Sequence, residues 1–426
     1  MRPLRIVGAR LLDPASGLDR QGDLLVVDGR IAALDPASVP DGTEHLEAAG
    51  LCLAPGLVDM RVRLGEPGAE HKERFESGCA AAAAGGVTAM ACLPDTCPPI
   101  DDPAMVEFVA RRARRVRGTK VHPYAAVTKG LAGEQIAELG LLREAGAVAF
   151  SDAGQAVASA RIMRRALQYA GALGALIVQL PQEPTLAQGG VMNAGAIASR
   201  LGLPDIPALA EVLMVERDLR LVEMTGARYH AAPVTTAAAI AAIRRAKARG
   251  LPVSCGTTPH HLALNELEVE GYRTFAKVLP PLRAEADRLA VVDGLRDGTV
   301  DVIASDHTPQ DQDSKRLPFA SAAFGVVGVE TMLAVALRLV HEGTITLLDL
   351  LRTMTTTPAR LLGIEGGALL PGAPADLVLF DLDAPWRITE AGLRSLSKNT
   401  AFEGRLVQGR VVRTLVDGRT VFAAPP

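Results

Sequence analysis

The sequence predicts an α/β fold: a (β/α)8 TIM-type barrel beside a small β-sandwich-like domain built from both chain termini. Three observations carry that expectation. The two ends of the 426-residue chain are both rich in short apolar runs broken by Asp-Gly turns. Between them, about eight strand-like runs alternate with helical stretches, the pattern of a parallel sheet crossed by helices. The length also exceeds what one simple core accommodates and suits a barrel with an accessory domain. The expected division is residues 1–53 and 366–426 for the β domain and 54–365 for the barrel.

In chain order, Leu4 to Val7, Asp23 to Val27 and Arg30 to Leu34 read as strands, the last two joined by Asp28-Gly29, a hairpin signature. The C-terminus repeats this pattern with Ala375 to Asp381, then Arg410 to Gly418 ending in Asp417-Gly418. Glu73 to Gly86 reads as a helix with an alanine run. Gly85-Gly86 reads as close helix–strand packing, and so does Gly325-Val326-Val327-Gly328, because no phosphate-binding glycine motif precedes a helix in the right context. Further strands are expected at Val87 to Met90, Val121 to Val127, Ala147 to Phe150, Leu176 to Val178, Arg228 to Ala232, Val253 to Gly256 and Val302 to Ala304. In such a barrel the functional residues gather at the C-terminal ends of the strands.

The bulk properties narrow the function. A net charge of −3 with ordinary charge content argues against a nucleic-acid partner or a polybasic membrane surface. No apolar run is long enough to span a bilayer, and the N-terminus lacks a signal-peptide pattern. The five cysteines (52, 79, 92, 97 and 255) are scattered, with no Cys-x-x-Cys pair. That usage points to a reducing, cytoplasmic setting and away from a zinc ribbon. A nucleophilic triad has little support, because no GxSxG elbow occurs.

The stretch that organises the chain is Pro55-Gly56-Leu57-Val58-Asp59-Met60-Arg61-Val62-Arg63-Leu64-Gly65-Glu66-Pro67-Gly68. Leu57 and Val58 begin a buried strand after a Pro-Gly turn, and Arg61 and Arg63 alternate with Val62, so they share one side of it. The frame resembles the first barrel strand of the amidohydrolase superfamily, and the Leu-x-Glu-Pro-Gly that follows resembles its dihydroorotase branch. Gly86-Val87-Thr88, Phe150-Ser151-Asp152, Tyr229-His230, Thr258-Pro259-His260-His261-Leu262, Pro280-Pro281-Leu282-Arg283, Ser305-Asp306-His307-Thr308-Pro309, Pro374-Ala375-Asp376 and Asn399 to Gly404 extend the resemblance in the same order.

The resemblance implies a metal centre at the barrel mouth. There a Lewis acid polarises a cyclic amide, metal-bound water supplies hydroxide, and a carboxylate moves the proton. Carried over residue by residue, the strand-one histidines fall at Arg61 and Arg63, and the bridging acid at Asp152. The two later histidines fall at Leu180 and Pro233, and the acid that touches metal and shuttles the proton at Asp306. Guanidinium offers no lone pair, and Leu and Pro side chains offer none either. Two carboxylates fall short of the three or four ligands a catalytic zinc takes. The substrate-holding arginine and two asparagines fall at Gly65, Asp95 and Leu279, which loses a bidentate carboxylate clamp. His260 and His261 resemble a stretch outside the metal shell, while His45, His71, His122 and His341 stand alone. Structural or surface roles are expected for these histidines, and structural retention for Asp306.

These substitutions lead to the expectation of a catalytically silent dihydroorotase-like protein without zinc. Its resemblance to silent chains of that kind implies assembly with aspartate carbamoyltransferase in an oligomer. Two other readings stand beside it. One is an active cyclic-amide hydrolase with a metal-poor or metal-free site, using Asp306 as base and an arginine to stabilise the oxyanion. The other is a small-ligand sensor using the altered pocket. Arg61 or Arg63 is further expected to pair with Asp306 or Asp152, restoring the positive charge that a metal would supply.

Overall fold

The computed structural model of the protein describes residues 2–425. Eight parallel strands form the barrel: Leu57–Val62, Val87–Cys92, Lys120–Ala125, Ala149–Phe150, Leu176–Gln179, Arg228–Ala231, Val253–Thr257 and Val302–Ile303. Each pairs with the next in sequence. The ring closes where Val62 bridges His307 and Arg63 N donates to His307 O at 2.9 Å. Helices follow the strands, among them Phe75–Ala84, Pro103–Val116, Ala160–Leu173, Leu209–Thr225 and Ala237–Ala248. Several start at side-chain caps: Asp102 accepts from Ala104 N at 2.8 Å with Pro103 in the first turn, and Ser159 accepts from Ile162 N at 3.3 Å. Such caps satisfy amide donors that have no partner within the helix.

Alternation along the strands divides the core in two. Val58, Met60, Ala89, Ala91, Tyr124 and Val178 belong to the cluster that fills the barrel, with Ala359 and Leu362 packed against the same cluster. Leu57, Val62, Met90, Cys92, Ile177 and Ile303 belong to the layer shared with the helices. Small residues among the inward positions leave room for bulky neighbours such as Tyr124.

The β domain expected from the two ends is a single hydrogen-bonded sheet. Cys52–Pro55 joins its halves, pairing in parallel with Leu4–Asp13 and antiparallel with Leu377–Arg387. Both Asp-Gly signals are two-residue hairpin turns: Val27 pairs Arg30 across Asp28 and Gly29, and Val416 pairs Arg419 across Asp417 and Gly418. All four turn residues have positive φ, between 47° and 78°. That conformation matches the right-handed twist of the flanking strands.

The sheet is fixed to the barrel by Lys120 Nζ, which reaches Asp376 at 2.8 Å and Asp417 at 2.7 Å. Thr414 Oγ1 also donates to Ala83 O at 2.6 Å. Between the long strands Leu377–Arg387 and Leu406–Val416 the chain leaves the sheet and returns to the barrel mouth. There Leu396 N donates to the buried Glu73 at 3.1 Å, and Asn399 Nδ2 donates to Gly325 O at 3.0 Å.

Gly85 and Gly86 are the close packing that the sequence implied. A Cβ on Gly85 would lie 2.2 Å from Val329 O, and one on Gly86 would lie 2.7 Å from Val378 Cγ2. Gly85→Ala should therefore cost about 1–3 kcal/mol in denaturant unfolding, the usual penalty for overpacking against rigid backbone. A change within about 0.5 kcal/mol, typical of a tolerant surface site, would contradict this account.

Candidate functional site

The mouth of the barrel is built around an irregularity in its first strand. Asp59 pairs with Met90 but Val62 with Cys92, so three residue steps oppose two. Such a bulge re-aims the side chains that follow it. Met60 belongs to the interior cluster, yet its neighbour Arg61 lines the mouth, and Arg63 lines it too. Both arginines share one side, as their spacing predicted.

Their partners differ. Arg61 Nε donates to Asp306 Oδ1 at 2.7 Å, with side chains only 4% and 6% exposed. Arg61 Nη2 also lies 3.5 Å from Ala153 O. Asp306 has φ +48°, a left-handed conformation that Asp tolerates better than most residues but that still costs energy. Arg63 is 23% exposed; its Nε donates to Asp95 Oδ2 at 2.7 Å and its Nη1 to Thr308 Oγ1 at 2.6 Å. Its Nη1 stands 3.9 Å from Asp306 Oδ1. One carboxylate thus faces two guanidiniums, and the charge-replacement expectation holds for Asp306.

The Asp152 carboxylate, the alternative partner in that expectation, takes its hydrogen bonds from a neighbouring turn. Oδ1 accepts from Val127 N at 2.9 Å and Thr128 N at 3.0 Å, and Oδ2 from Thr128 Oγ1 at 2.5 Å. Burial raises its pKa, an effect those hydrogen bonds only partly offset. An acid satisfied by three donors in an adjacent turn has no need of an arginine.

A cavity of about 320 Å³ opens at this mouth. Arg61, Arg63, Gly65, Asp95, Leu180, Leu279 and Asp306, seven of the nine positions singled out in the sequence, line it. Asp152 and Pro233 are not among its lining residues. Pro233 is buried, after a cis peptide bond at Ala232. Gly65 is held at φ +65°, and a Cβ there would stand 2.6 Å from Ala69 O and 2.7 Å from Glu73 O. The backbone itself therefore excludes a side chain where the carboxylate-holding arginine would sit.

Three buried histidines, His230, His261 and His307, are held by protein partners. His261 bonds Thr258 Oγ1 at 2.8 Å and Pro280 O at 3.1 Å, and burial lowers its pKa to about 3. His230 contacts Ser254 Oγ at 2.8 Å and is likewise pushed down to about 3 by burial. His307 Nδ1 accepts from Gly328 N at 3.3 Å, which leaves Nε2 to donate to Glu73 Oε2 at 3.3 Å.

Asp59, which no sequence pattern marked as functional, ties the first and eighth strands: Oδ1 accepts from Arg61 N and Ser305 N, each at 3.1 Å. Burial raises its pKa to about 6. Its spacing two residues before Arg61 was the available signal. Lys72, Gln310 and Phe324 also line the cavity from loops, where the sequence carries no period to place them.

The donor set does not fit a catalytic zinc. Of the positions expected to ligate, the mouth offers two guanidiniums, the leucine side chain of Leu180 and one carboxylate already bound to arginine.

A parallel barrel with its polar cluster at the strand ends and a β domain from both termini defines an amidohydrolase-type architecture. The chain belongs to the dihydroorotase-like family. The family model described as "Dihydro-orotase-like" matches residues 50–238, and the "Amidohydrolase family" model matches 295–422. A dihydroorotase of Syntrophus aciditrophicus (strain SB) is 46% identical over 417 residues, spanning 97% of this chain and 98% of its own length. One from Syntrophotalea carbinolica is 44% identical, spanning 98% of each. Among solved structures, the L-hydantoinase (dihydropyrimidinase) of Arthrobacter aurescens superposes with a TM-score of 0.88 at 26% identity, over 99% of this chain and 96% of that one.

The two arginines should separate in a stability experiment. Arg61→Ala leaves the buried Asp306 carboxylate with only the 3.9 Å contact to Arg63 and should cost about 3–5 kcal/mol in chemical denaturation. Arg63→Ala breaks a solvent-screened pair and should cost about 1 kcal/mol or less. Equal losses for the two variants would show that burial does not set their contributions.

Proposed function

We propose that the chain is a dihydroorotase-like protein of pyrimidine biosynthesis that lacks metal-dependent hydrolysis and acts as a structural partner of aspartate carbamoyltransferase. The observation that carries the first half is the buried 2.7 Å contact between Arg61 Nε and Asp306 Oδ1. A proton-shuttling carboxylate has to be free to accept and release a proton beside the substrate. Here it is bound by a permanent cation at the position where the family resemblance implies an imidazole. The partner role rests on the resemblance to silent dihydroorotase-like chains. It requires an intact fold and outer surface and asks nothing of the mouth chemistry.

A second reading is an active cyclic-amide hydrolase with an unusual, metal-poor or metal-free site. The names of the relatives favour it over silence, since proteins 42–46% identical along nearly their whole length are called dihydroorotases. Arg63, a quarter exposed and lining the cavity, could stabilise an oxyanion. What this reading lacks is a group that generates hydroxide at neutral pH.

Two measurements decide between them. Purified protein, assayed for dihydroorotate ring opening with and without added zinc, is expected to show no turnover and no stoichiometric metal. Turnover would establish the second reading. Affinity purification from the native host is expected to recover aspartate carbamoyltransferase in fixed stoichiometry, and its absence would remove the partner role. The double variant Arg61→His/Arg63→His is expected to stay silent in the same assay. Gly65, Asp95, Leu180 and Leu279 remain unchanged in it, and groups that act as a unit do not recover piecemeal.

A further inference from the structure

A second cavity, of about 360 Å³, lies between the barrel and the β domain and shares no lining residue with the mouth. The helix Met332–His341 forms its barrel wall, and strands Leu377–Arg387, Leu406–Val416 and Arg419–Ala423 contribute the facing wall. Three arginines line it: Arg387 and Arg410 from two paired strands, and Arg394 from the segment that leaves the sheet. None of the three pairs with a carboxylate among the described residues. Arg387 Nη1 donates to Gly404 O at 2.6 Å, and the Arg394 guanidinium lies 5.1 Å from the centroid of the Phe422 ring.

The neighbouring acids are committed elsewhere. Glu330, the one carboxylate in the lining among the described residues, accepts from Arg394 N at 2.8 Å and Ser395 N at 3.0 Å. Asp381, paired with Arg410 in strand register, accepts from Asp383 N and Ala384 N at 3.0 Å each. Three guanidiniums against one carboxylate leave the lining two positive charges in excess, on a chain whose net charge is −3. Like charges gathered round one cavity repel, and no counter-ion among the described residues offsets that cost. The same lining is aromatic. Trp386, the only tryptophan of the chain, is fixed by its Nε1, which donates to Gly409 O at 3.0 Å. Phe422 carries Arg394 on its face.

We propose that this cavity binds a mononucleotide-class ligand, its phosphate held by Arg387, Arg394 and Arg410 and its flat base laid against Trp386. Guanidinium forks match phosphate oxygens bidentately. A phosphate monoester carries about −1.5 to −2 charge at pH 7, which meets the two excess positive charges. The volume stands at the lower end of the range for small-molecule sites, roughly 300–1,000 Å³, so it takes one nucleotide and not a strand. Stacking on an aromatic face accepts any base, so purine and pyrimidine forms should both bind. Because the site is separate from the mouth, it is independent of whether the mouth converts a substrate.

Tryptophan fluorescence of the full-length protein tests this, since Trp386 reports on this cavity alone, with calorimetry on the same samples to register binding that leaves the emission unchanged. The probes are UMP, AMP, uridine, ribose 5-phosphate and inorganic phosphate. Both mononucleotides are expected to bind at least tenfold more tightly than uridine, which lacks the phosphate. The same margin is expected over ribose 5-phosphate and inorganic phosphate, which lack the base. Arg394→Gln and Arg410→Gln should each weaken UMP at least tenfold. Arg413→Gln removes a guanidinium of the same strand that donates to Thr420 Oγ1 outside the cavity, and should leave UMP affinity within twofold. All three variants should melt within a few degrees of the parent, which separates lost binding from lost folding. No binding of either mononucleotide at millimolar concentration would overturn the proposal. So would UMP affinity unchanged in both Arg394→Gln and Arg410→Gln, or lowered equally in Arg413→Gln. Inorganic phosphate or uridine binding as tightly as UMP would overturn the nucleotide assignment.

Discussion

The structure depends on the seam between the first and eighth barrel strands, where ring closure and charge balance are the same event. The backbone makes a single bridge there, with Arg63 N on His307 O. Side chains supply the rest. Asp59 accepts from the amides of Arg61 and Ser305, one on each side of the seam, and the Arg61 guanidinium binds Asp306 across the same gap. Asp306 is both buried and left-handed, so its position is strained twice over. Strain of that kind persists only where the surroundings over-determine it. Arginine suits the task better than lysine because its planar fork can bind a carboxylate while giving up less hydration.

Burial explains why two arginines two residues apart do different work. Arg61 lies in the low-dielectric end of the barrel, where an unpaired charge is expensive. Arg63 reaches the open cavity, where water screens its pair with Asp95 and leaves one amino group available. One arginine therefore closes the barrel seam, and the other lines the open cavity. Glu73 extends the seam outward. It takes hydrogen bonds from His307 and from Ser395 and Leu396, so the returning C-terminal segment is anchored to the residue that closes the ring.

The strand and helix order was legible in the sequence because period-two and helical patterns are strong where one face is buried. The hairpin turns were legible because Asp-Gly has a steric reason to stand there. Mouth residues on or just after barrel strands, such as Arg61, Arg63 and Asp306, could be placed for a related reason: a strand end fixes direction. The partners of Asp152 were not legible, because it follows a two-residue strand, Ala149–Phe150, and is bound by the loop at Val127 and Thr128. Lys72, Gln310 and Phe324 were invisible because loops carry no period. The constraint on Gly65 was hidden because a positive φ and two nearby carbonyls are properties of the folded loop.

One physical distinction sorts the family-like residues this chain retains from those it lacks. Asp152 satisfies three donors of a neighbouring turn, and Asp306 neutralises Arg61. His307 bridges Glu73 to Gly328, and His261 joins Thr258 to Pro280. Each has protein partners, so each contributes to the fold with or without a metal. A histidine at position 61, 63 or 180 would point into a cavity where its chief partner is a metal ion. Without that ion an imidazole at 61 or 180 would be buried without its chief partner, and one at 63 would be partly solvated and contribute little. Leucine at 180 instead gives the cavity apolar wall, and arginine at 61 gives a buried carboxylate its counter-charge. The acids and histidines named here are thus held by protein partners, and those partners tie the mouth to the barrel around it.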